Sequence, residues 1–185
     1  MARILITGDS FAADWGGNQG WPNQLAQTHD CVNLAQAGVG EYKILKQLQR
    51  TLLEKYDYII VSHTSPYRIH TVYHPLHVDS KLHKNCDFIY SDIQGRLSEV
   101  ENFFTKYWDL EYAQYVHKKI CEDIDHITKQ HSVIHMNHID WTDQYQFDNM
   151  IDFSNLKKSI NNHNHYDEKQ HEIICKSLAQ KIEDF

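Results

Sequence analysis

Four short apolar runs, separated by helix-like segments, are the feature that most constrains how this chain can fold. The runs are RILITG (3–8), CVNLAQAG (31–38), DYIIVSHTS (57–65) and SVIHMN (132–137). A compact apolar run that ends in glycine or in polar turn residues is typical of a buried strand. Strands that alternate with helices favour an α/β fold, in which helices cover both faces of a mostly parallel sheet.

The segments between these runs have the spacing of helices. Apolar residues recur every three or four positions in EYKILKQLQRTLLEKY (41–56), as on the buried face of an amphipathic helix. The other predicted helices are a short one at Trp21-Pro22, a pair within 97–129 that meets near Asp109, and a closing helix over 167–185 with Asp167 as its N-cap.

The length of 185 residues predicts one domain over 1–185, since this is enough chain for a single sizeable core. Residues 67–95 hold no clear period and are rich in histidine and tyrosine. Together with the helical pattern that follows, they predict an irregular and helical insertion at about 67–130. The sequence contains no internal repeat and no linker-like stretch.

Charge and hydropathy exclude several classes of partner. The net charge is −7 with neutral histidines, whereas a surface that binds nucleic acid is usually basic. No segment reaches the roughly 18 apolar residues of a membrane span, and no basic and apolar signal segment begins the chain. The four cysteines form no CxxC pair. We therefore expect a cytoplasmic protein with reduced thiols and no nucleic-acid or membrane partner.

Fourteen histidines are the unusual feature of the composition. His70, His74, His77 and His83 approach the spacing of metal ligands, but Pro75 interrupts any helical i, i+4 pair. We therefore interpret these four as solvated loop residues and predict no metal site.

Polar residues follow three of the predicted strands at the point where each strand ends. Ser10 follows the first strand, Gly38 the second, and Thr64 and Ser65 the third. Sites in parallel sheets form beyond the carboxyl ends of the strands, so these residues are expected to meet. A serine there needs a base, usually histidine, and N–H donors for the oxyanion of a tetrahedral intermediate.

GDSF (8–11), NLAQAG (33–38) and the histidine just before the last helix resemble the motifs of the SGNH (GDSL-type) hydrolases. The resemblance covers the chain except for about residues 67–130. It implies a flavodoxin-like three-layer fold, hydrolysis of acyl esters, and no metal or organic cofactor. It also implies Ser10 as nucleophile, His165 as base with His163 ranked second, and the N–H groups of Ser10 and Gly38 as oxyanion donors.

Two positions depart from the family pattern. Asn162 stands where the acid of the triad is expected, so either Asn162 orients His165, or Asp148 or Asp152 supplies the charge, or Ser10 and His165 act as a dyad. The family's GxND block is replaced by HTSPYR (63–68). Thr64 or Ser65 then offers a hydroxyl and Arg68 a charge, which leaves the third oxyanion donor unassigned.

Each of these residues also has a structural interpretation. Ser10 could cap a following helix, Gly38 could serve only its turn, Thr64 and Ser65 could form the turn before Pro66, and Asn162 and His165 could be loop residues. Asp9 is interpreted as structural.

The sequence favours a serine hydrolase that cleaves an O-acyl ester, most plausibly acetyl, of a small molecule or carbohydrate through Ser10 and His165. The alternative is a binding protein on the same fold, weakened or inactive as an enzyme, for a small ligand or glycan. A third interpretation is an assembly protein whose 67–130 segment makes protein contacts. The long amphipathic helices permit a homo-oligomer, although no interface can be read from the sequence.

Overall fold

The computed structural model of the chain describes residues 1–15, 20–77, 81–83, 85–89, 97–140, 145–158 and 165–185. In chain order the elements are β1 (Arg3–Gly8), α1 (Trp21–Leu25), β2 (Asp30–Asn33), α2 (Glu41–Gln49), a 3-10 helix (Leu53–Lys55), β3 (Tyr58–Ser62), β4 (Arg68–Ile69), β5 (Phe88–Ile89), α3 (Ser98–Lys106), α4 (Leu110–Thr128), β6 (Val133–Asn137), β7 (Met150–Asp152) and α5 (Glu168–Glu183). The helical pattern over 41–56 is therefore divided between α2 and this 3-10 helix.

Within these residues, five strands pair in the order β2-β1-β3-β6-β7, and every pairing is parallel. Counted along the chain, this is the order 2-1-3-4-5 of flavodoxin-like doubly wound sheets. The predicted α/β fold class is therefore confirmed. The edge strand β7 was not predicted, because its three residues are too few to show a period.

Alternating side chains divide the central strands between two cores. Ile4 and Ile6 of β1 pack in one core with residues of α1 and α5, while Leu5 packs in the other with residues of α2 and α4. The helices pair accordingly, since α1 contacts α5 and α2 contacts α4. The result is the three-layer α/β/α arrangement expected from apolar runs that are buried on both faces.

The helix boundaries follow local capping chemistry. Asp109 separates α3 from α4, and its carboxylate accepts a hydrogen bond of 3.0 Å from the Tyr112 N–H. Asp167 caps α5 in a reciprocal capping box with Gln170. Both positions agree with the sequence prediction.

Residues 67–95 differ from the sequence prediction in one respect. No period is visible there, yet β4 and β5 pair as a two-stranded antiparallel ribbon, with Arg68 opposite Ile89 and Ile69 opposite Phe88. Strands of two residues are too short to produce a recognisable alternation in the sequence.

All four cysteines lie in described ranges and are free thiols. Within those ranges, no helix combines the length and apolar character that a transmembrane span requires.

The strand order reverses between β1 and β3, the two neighbours from which the chain winds outward in opposite directions. Open α/β sheets bind their ligands at this switch point, beyond the carboxyl ends of the strands. Ser10 follows β1 and Thr64 follows β3, so both lie at the position where the topology predicts a site.

Candidate active site

The turn after β1 is held by Asp9. Its carboxylate accepts a hydrogen bond of 3.0 Å from the Phe11 N–H, and its carbonyl accepts from the N–H groups of Ala12 and Ala13. Burial raises the pKa of Asp9, against the opposing influence of the Arg68 charge and of the Phe11 N–H. These bonds give Asp9 the structural role expected of it and fix the backbone at Ser10.

Ser10, Gly38 and His165 line one cleft of about 150 Å³, together with Arg68. Ser10 is buried but for 7% of its surface. Three residues from three distant parts of the sequence are thus brought together as predicted. We call this space the Ser10 cleft.

Two aromatic side chains that follow Ser10 hold the His165 ring. The Phe11 ring lies 5.0 Å from the His165 ring, centre to centre, and the Trp15 ring also lies 5.0 Å from it. The Trp15 indole N–H donates a hydrogen bond of 2.8 Å to the Ser10 carbonyl. The segment that follows β1 therefore supplies the walls that position the imidazole.

A tight turn places Gly38 in the wall of the cleft. Its φ of +79° is a left-handed conformation, and a Cβ built there would lie 2.6 Å from the Cβ of Cys86. Its carbonyl accepts hydrogen bonds from the Asp87 N–H (2.8 Å) and from Arg68 Nη1 (2.9 Å). In the part of the chain that the structure describes, neither the Gly38 N–H nor the Ser10 N–H donates to another group.

The residues after β3 take different positions. The Thr64 hydroxyl accepts a hydrogen bond of 3.3 Å from Arg68 Nε. Ser65 lines a neighbouring groove and is not among the residues lining the Ser10 cleft. Arg68 is the residue of this group that lines the cleft, and it brings a positive charge to it.

The third member of the expected triad cannot be placed. Asn162 and the second-ranked His163 lie outside the described residues. The Asp152 carboxylate accepts hydrogen bonds from Asn137 and from the N–H and hydroxyl of Ser154. Burial alone would raise the pKa of Asp152, but these bonds outweigh it and lower the pKa.

The histidine-rich segment 67–95 was expected to lie over the site, with Tyr67, Arg68, Tyr73 and His74 as candidate contacts. Of these four, Arg68 lines the cleft. Sequence reasoning did not identify the other cleft residues of this segment. They are His77, His83, Cys86, Asp87 and Ile89. Asp87 is the anchor of this set: its carboxylate accepts from the N–H groups of Gly40 (2.7 Å) and Thr71 (2.9 Å) and forms an ion pair with Lys43 at 2.7 Å. No periodicity marks these residues, so their position depends on contacts that are distant in sequence.

The interpretation of four histidines as solvated is wrong for His74, which is only 2% exposed. Its ring packs 4.6 Å from the Phe88 ring of β5. A ribbon that was not predicted therefore buries this side chain. His70 is exposed, as expected, while His77 and His83 are half-buried.

A second groove of about 590 Å³ lies beside the Ser10 cleft, and the two share Arg68 and Asp87. Aromatic side chains dominate its walls. They are Tyr42, Phe103, Tyr107, Trp108 and Tyr112. We call this the aromatic groove.

A buried polar network lies between the end of β3 and helices α2 and α4. Glu41 bonds His63 at 2.6 Å, and His63 bonds His135 at 2.9 Å. The other Glu41 oxygen accepts from the Thr64 N–H at 3.0 Å and lies 3.5 Å from His117 Nε2. We call Glu41, His63, His117 and His135 the Glu41 network.

The surroundings of Glu41 and His135 determine the charges of these two side chains. Burial alone would raise the pKa of Glu41, but His63 and His117 outweigh it and hold the pKa far below its ordinary value. Burial lowers the pKa of His135 well below its ordinary value, and the neighbouring His63 adds to this. Glu41 is therefore an anion and His135 is neutral near pH 7.

A further buried histidine lies against Phe11, in the turn after β1. The His138 ring stacks on the Phe11 ring at 4.8 Å, and its Nδ1 lies 3.0 Å from the Tyr166 hydroxyl. That hydroxyl donates to the Phe153 carbonyl, so His138 Nδ1–H is the donor to it. Burial, with the Lys158 charge, lowers the pKa of His138 to about 3.

No protein-family model matches this chain. No curated protein matches it either. Among solved structures, the chain aligns with one described as the crystal structure of TesA, at a TM-score of 0.40 and 14% identity. The alignment covers 73% of this chain and 58% of the TesA chain. This likeness is too weak to support a function, and the assignment of the fold rests on the sheet topology above.

Proposed function

We propose that the protein is a serine hydrolase of the SGNH type that cleaves O-acyl esters. The observation that carries the proposal is the meeting of Ser10, His165 and Gly38 in one cleft at the switch point of the sheet. A nucleophile, a base and two backbone N–H donors are the parts that acyl transfer requires.

The proposed reaction begins when His165 takes the proton from the Ser10 hydroxyl as Ser10 Oγ attacks the ester carbonyl carbon. The N–H groups of Ser10 and Gly38 stabilise the negative oxygen that forms. His165 then gives the proton to the leaving alcohol as the carbon–oxygen bond breaks, which leaves an acyl group on Ser10. A water molecule, deprotonated by the same histidine, attacks this acyl group and releases the acid.

Arg68 supports this chemistry by its charge and by its anchoring. It lines the cleft while Nη1 holds the Gly38 carbonyl and Nε holds the Thr64 hydroxyl. A fixed cation beside a developing oxyanion lowers the barrier because it needs no reorganisation during the reaction. We therefore assign to Arg68, rather than to Thr64 or Ser65, the role of the missing third donor.

The sizes of the two spaces favour a short acyl group on a larger alcohol. A cleft of about 150 Å³ suits an acetyl group, while the adjoining groove of about 590 Å³ suits a ring-shaped leaving group. Aromatic walls pack against the faces of planar or sugar rings. Acetyl esters of a carbohydrate or of another small cyclic molecule are thus the proposed substrates.

Labelling with a fluorophosphonate probe tests the proposal without knowledge of the natural substrate. The probe phosphonylates an activated serine with loss of fluoride. We expect the wild type to label, Ser10→Ala not to label, and His165→Ala to label at least about 100-fold more slowly. Ser98→Ala, which removes an exposed hydroxyl on α3, should label like the wild type.

Two results would count against the proposal. A folded wild type that does not label would instead support a binding protein for a small ligand or glycan. Labelling that persists in Ser10→Ala would place the reactive serine elsewhere. Assays with p-nitrophenyl esters then test the acyl group, with acetate expected to be cleaved faster than octanoate.

A further inference from the structure

Two histidines and a cysteine converge at the wall of the Ser10 cleft. One ligand atom from each of His74, His77 and Cys86 lies within 4.8 Å of the others. His74 and Cys86 are 2% and 3% exposed, while His77 is half-buried and lines the cleft together with Cys86. Imidazole nitrogen and thiolate sulfur are ligands that zinc prefers in proteins.

We propose that His74, His77 and Cys86 bind one Zn²⁺ ion at this wall, with the remaining coordination position directed towards the cleft. This proposal does not depend on the hydrolase activity, and it replaces the prediction that the chain has no metal site. Tetrahedral zinc holds neighbouring ligand atoms about 3.4–3.6 Å apart. The ligand atoms described here lie within 4.8 Å of one another, so they would approach by about 1 Å on binding.

The backbone already holds the ligand residues in place. The His77 N–H donates to the His74 carbonyl (3.2 Å), closing a turn with Pro75 in its second position. The Cys86 N–H donates to the His83 carbonyl (3.0 Å), and the neighbouring Asp87 is fixed as described above. Pro75 thus excludes a helical pair of ligands but lies in a turn that brings the two histidine rings to 4.7 Å, centre to centre.

His83 lies beside this group and is a candidate for a further ligand. Its ring stacks on the His77 ring at 4.9 Å and lines the cleft. Either His83 or a water molecule can occupy the fourth position, as in zinc sites with three protein ligands. Zinc binding breaks the Cys86 S–H bond and releases its proton to solvent, while both imidazoles bind in their neutral form.

A second group in the described chain also brings three ligand types together, but it is less suited to a metal. Glu41, His117 and Cys121 are all buried. Glu41 and His117 already bond Thr64 and each other. All three of these residues are buried, whereas His77 and Cys86 line the Ser10 cleft, from which a metal ion can reach them.

Metal titration of the full chain tests the site. After treatment with a chelator and addition of Zn²⁺, we expect one zinc per chain to remain after desalting at pH 7.5. Co²⁺ in its place should give the visible bands of a tetrahedral site and a thiolate-to-cobalt charge-transfer band. His77→Ala and Cys86→Ser should bind zinc at least about 100-fold more weakly, since outer-sphere changes alone cost up to that much.

Two cysteine variants serve as matched controls. Cys175→Ser removes a half-buried thiol of α5, and Cys121→Ser removes the thiol of the rival group. Both should keep the zinc and the charge-transfer band. We expect His77→Ala to fold, because the His77 side chain is partly exposed. Circular dichroism of each variant without metal checks that it is folded.

Three outcomes would overturn the proposal. They are wild-type protein that retains no stoichiometric zinc, wild-type affinity in folded His77→Ala or Cys86→Ser, and loss of the metal in Cys121→Ser alone. None of these readouts depends on hydrolysis, so failure of the zinc site and failure of the proposed function are distinguishable.

Discussion

The Glu41 network and the Ser10 cleft are built from similar side chains but differ in access to solvent. In the network, Glu41 is hydrogen-bonded to His63 and His63 to His135, and each of these residues is at most 3% exposed. In the cleft, His165 is half-buried and open to a space of about 150 Å³. A carboxylate–histidine pair alone therefore does not identify a reactive site. The histidine must also face a space that a substrate can enter.

The largest effect should come from exchanging the two histidines for glutamine in turn. His165→Gln should lower hydrolysis by about 10³-fold or more while changing the free energy of unfolding by less than about 1 kcal/mol. His63→Gln should do the reverse and lower the free energy of unfolding by about 2–4 kcal/mol, because Glu41 loses a buried partner. Ester hydrolysis and urea denaturation measure the two effects. A large loss of activity in a stable His63→Gln protein would place the chemistry in the network.

Removal of the carboxylate should test the network more directly. Glu41→Ala should lower the free energy of unfolding by about 3–5 kcal/mol, because three buried hydrogen-bonding groups lose a charged partner. Glu122→Ala breaks an exposed ion pair with Lys119 and should change stability by less than about 1 kcal/mol. Equal effects in the two variants would show that burial adds nothing to the Glu41 interactions.

The turn at Gly38 should be the most sensitive backbone position of the cleft. Gly38→Ala places a Cβ beside the Cys86 Cβ and forces alanine into a left-handed conformation. We expect the free energy of unfolding to fall by about 1–3 kcal/mol and turnover to decrease. The matched control is Gly20→Ala, whose Cβ would meet no described atom closer than 3.6 Å. Thermal denaturation and ester hydrolysis measure both variants. If the two behave alike, the close approach of Cys86 has no energetic importance.

The smallest predicted effect is on the pH dependence of stability. The pKa values of His135 and His138 are lowered in the folded protein, so the unfolded chain binds protons that the folded one does not. The contribution of these two neutral histidines to the free energy of unfolding is thus fully present above about pH 6.5. It is lost as the pH falls, and the free energy of unfolding then decreases by up to about 1.4 kcal/mol per pH unit for each histidine. His138→Phe keeps the ring under Phe11 and should remove one such contribution between pH 6.5 and 5. The exposed His126→Gln should leave the slope unchanged in urea denaturation series. An unaltered slope in His138→Phe would contradict the assigned neutral state.

The sequence predicted the parts of the fold and site that local patterns encode. Apolar runs indicated β1, β2, β3 and β6, and the parallel topology then placed Ser10 and Gly38 at one edge of the sheet. The edge strand β7 and the β4–β5 ribbon are too short to show a period.

Contacts between distant residues were beyond the reach of the sequence patterns. Asp87 bonds Gly40 from 47 residues away, and Glu41 bonds His63 from 22 residues away. Only the folded backbone brings such pairs together. The role of Asn162 stays a prediction, since that residue lies outside the described ranges.

The Asp87 carboxylate contacts the N–H groups of Gly40 and Thr71 and the ammonium group of Lys43. It thereby fixes both ends of the stretch between Thr71 and Asp87. We expect substitutions in that stretch, other than at the proposed zinc ligands, to alter which molecules enter the cleft while the Gly38 turn keeps its shape. Under the proposed function, specificity could then change without loss of the groups that carry out the reaction.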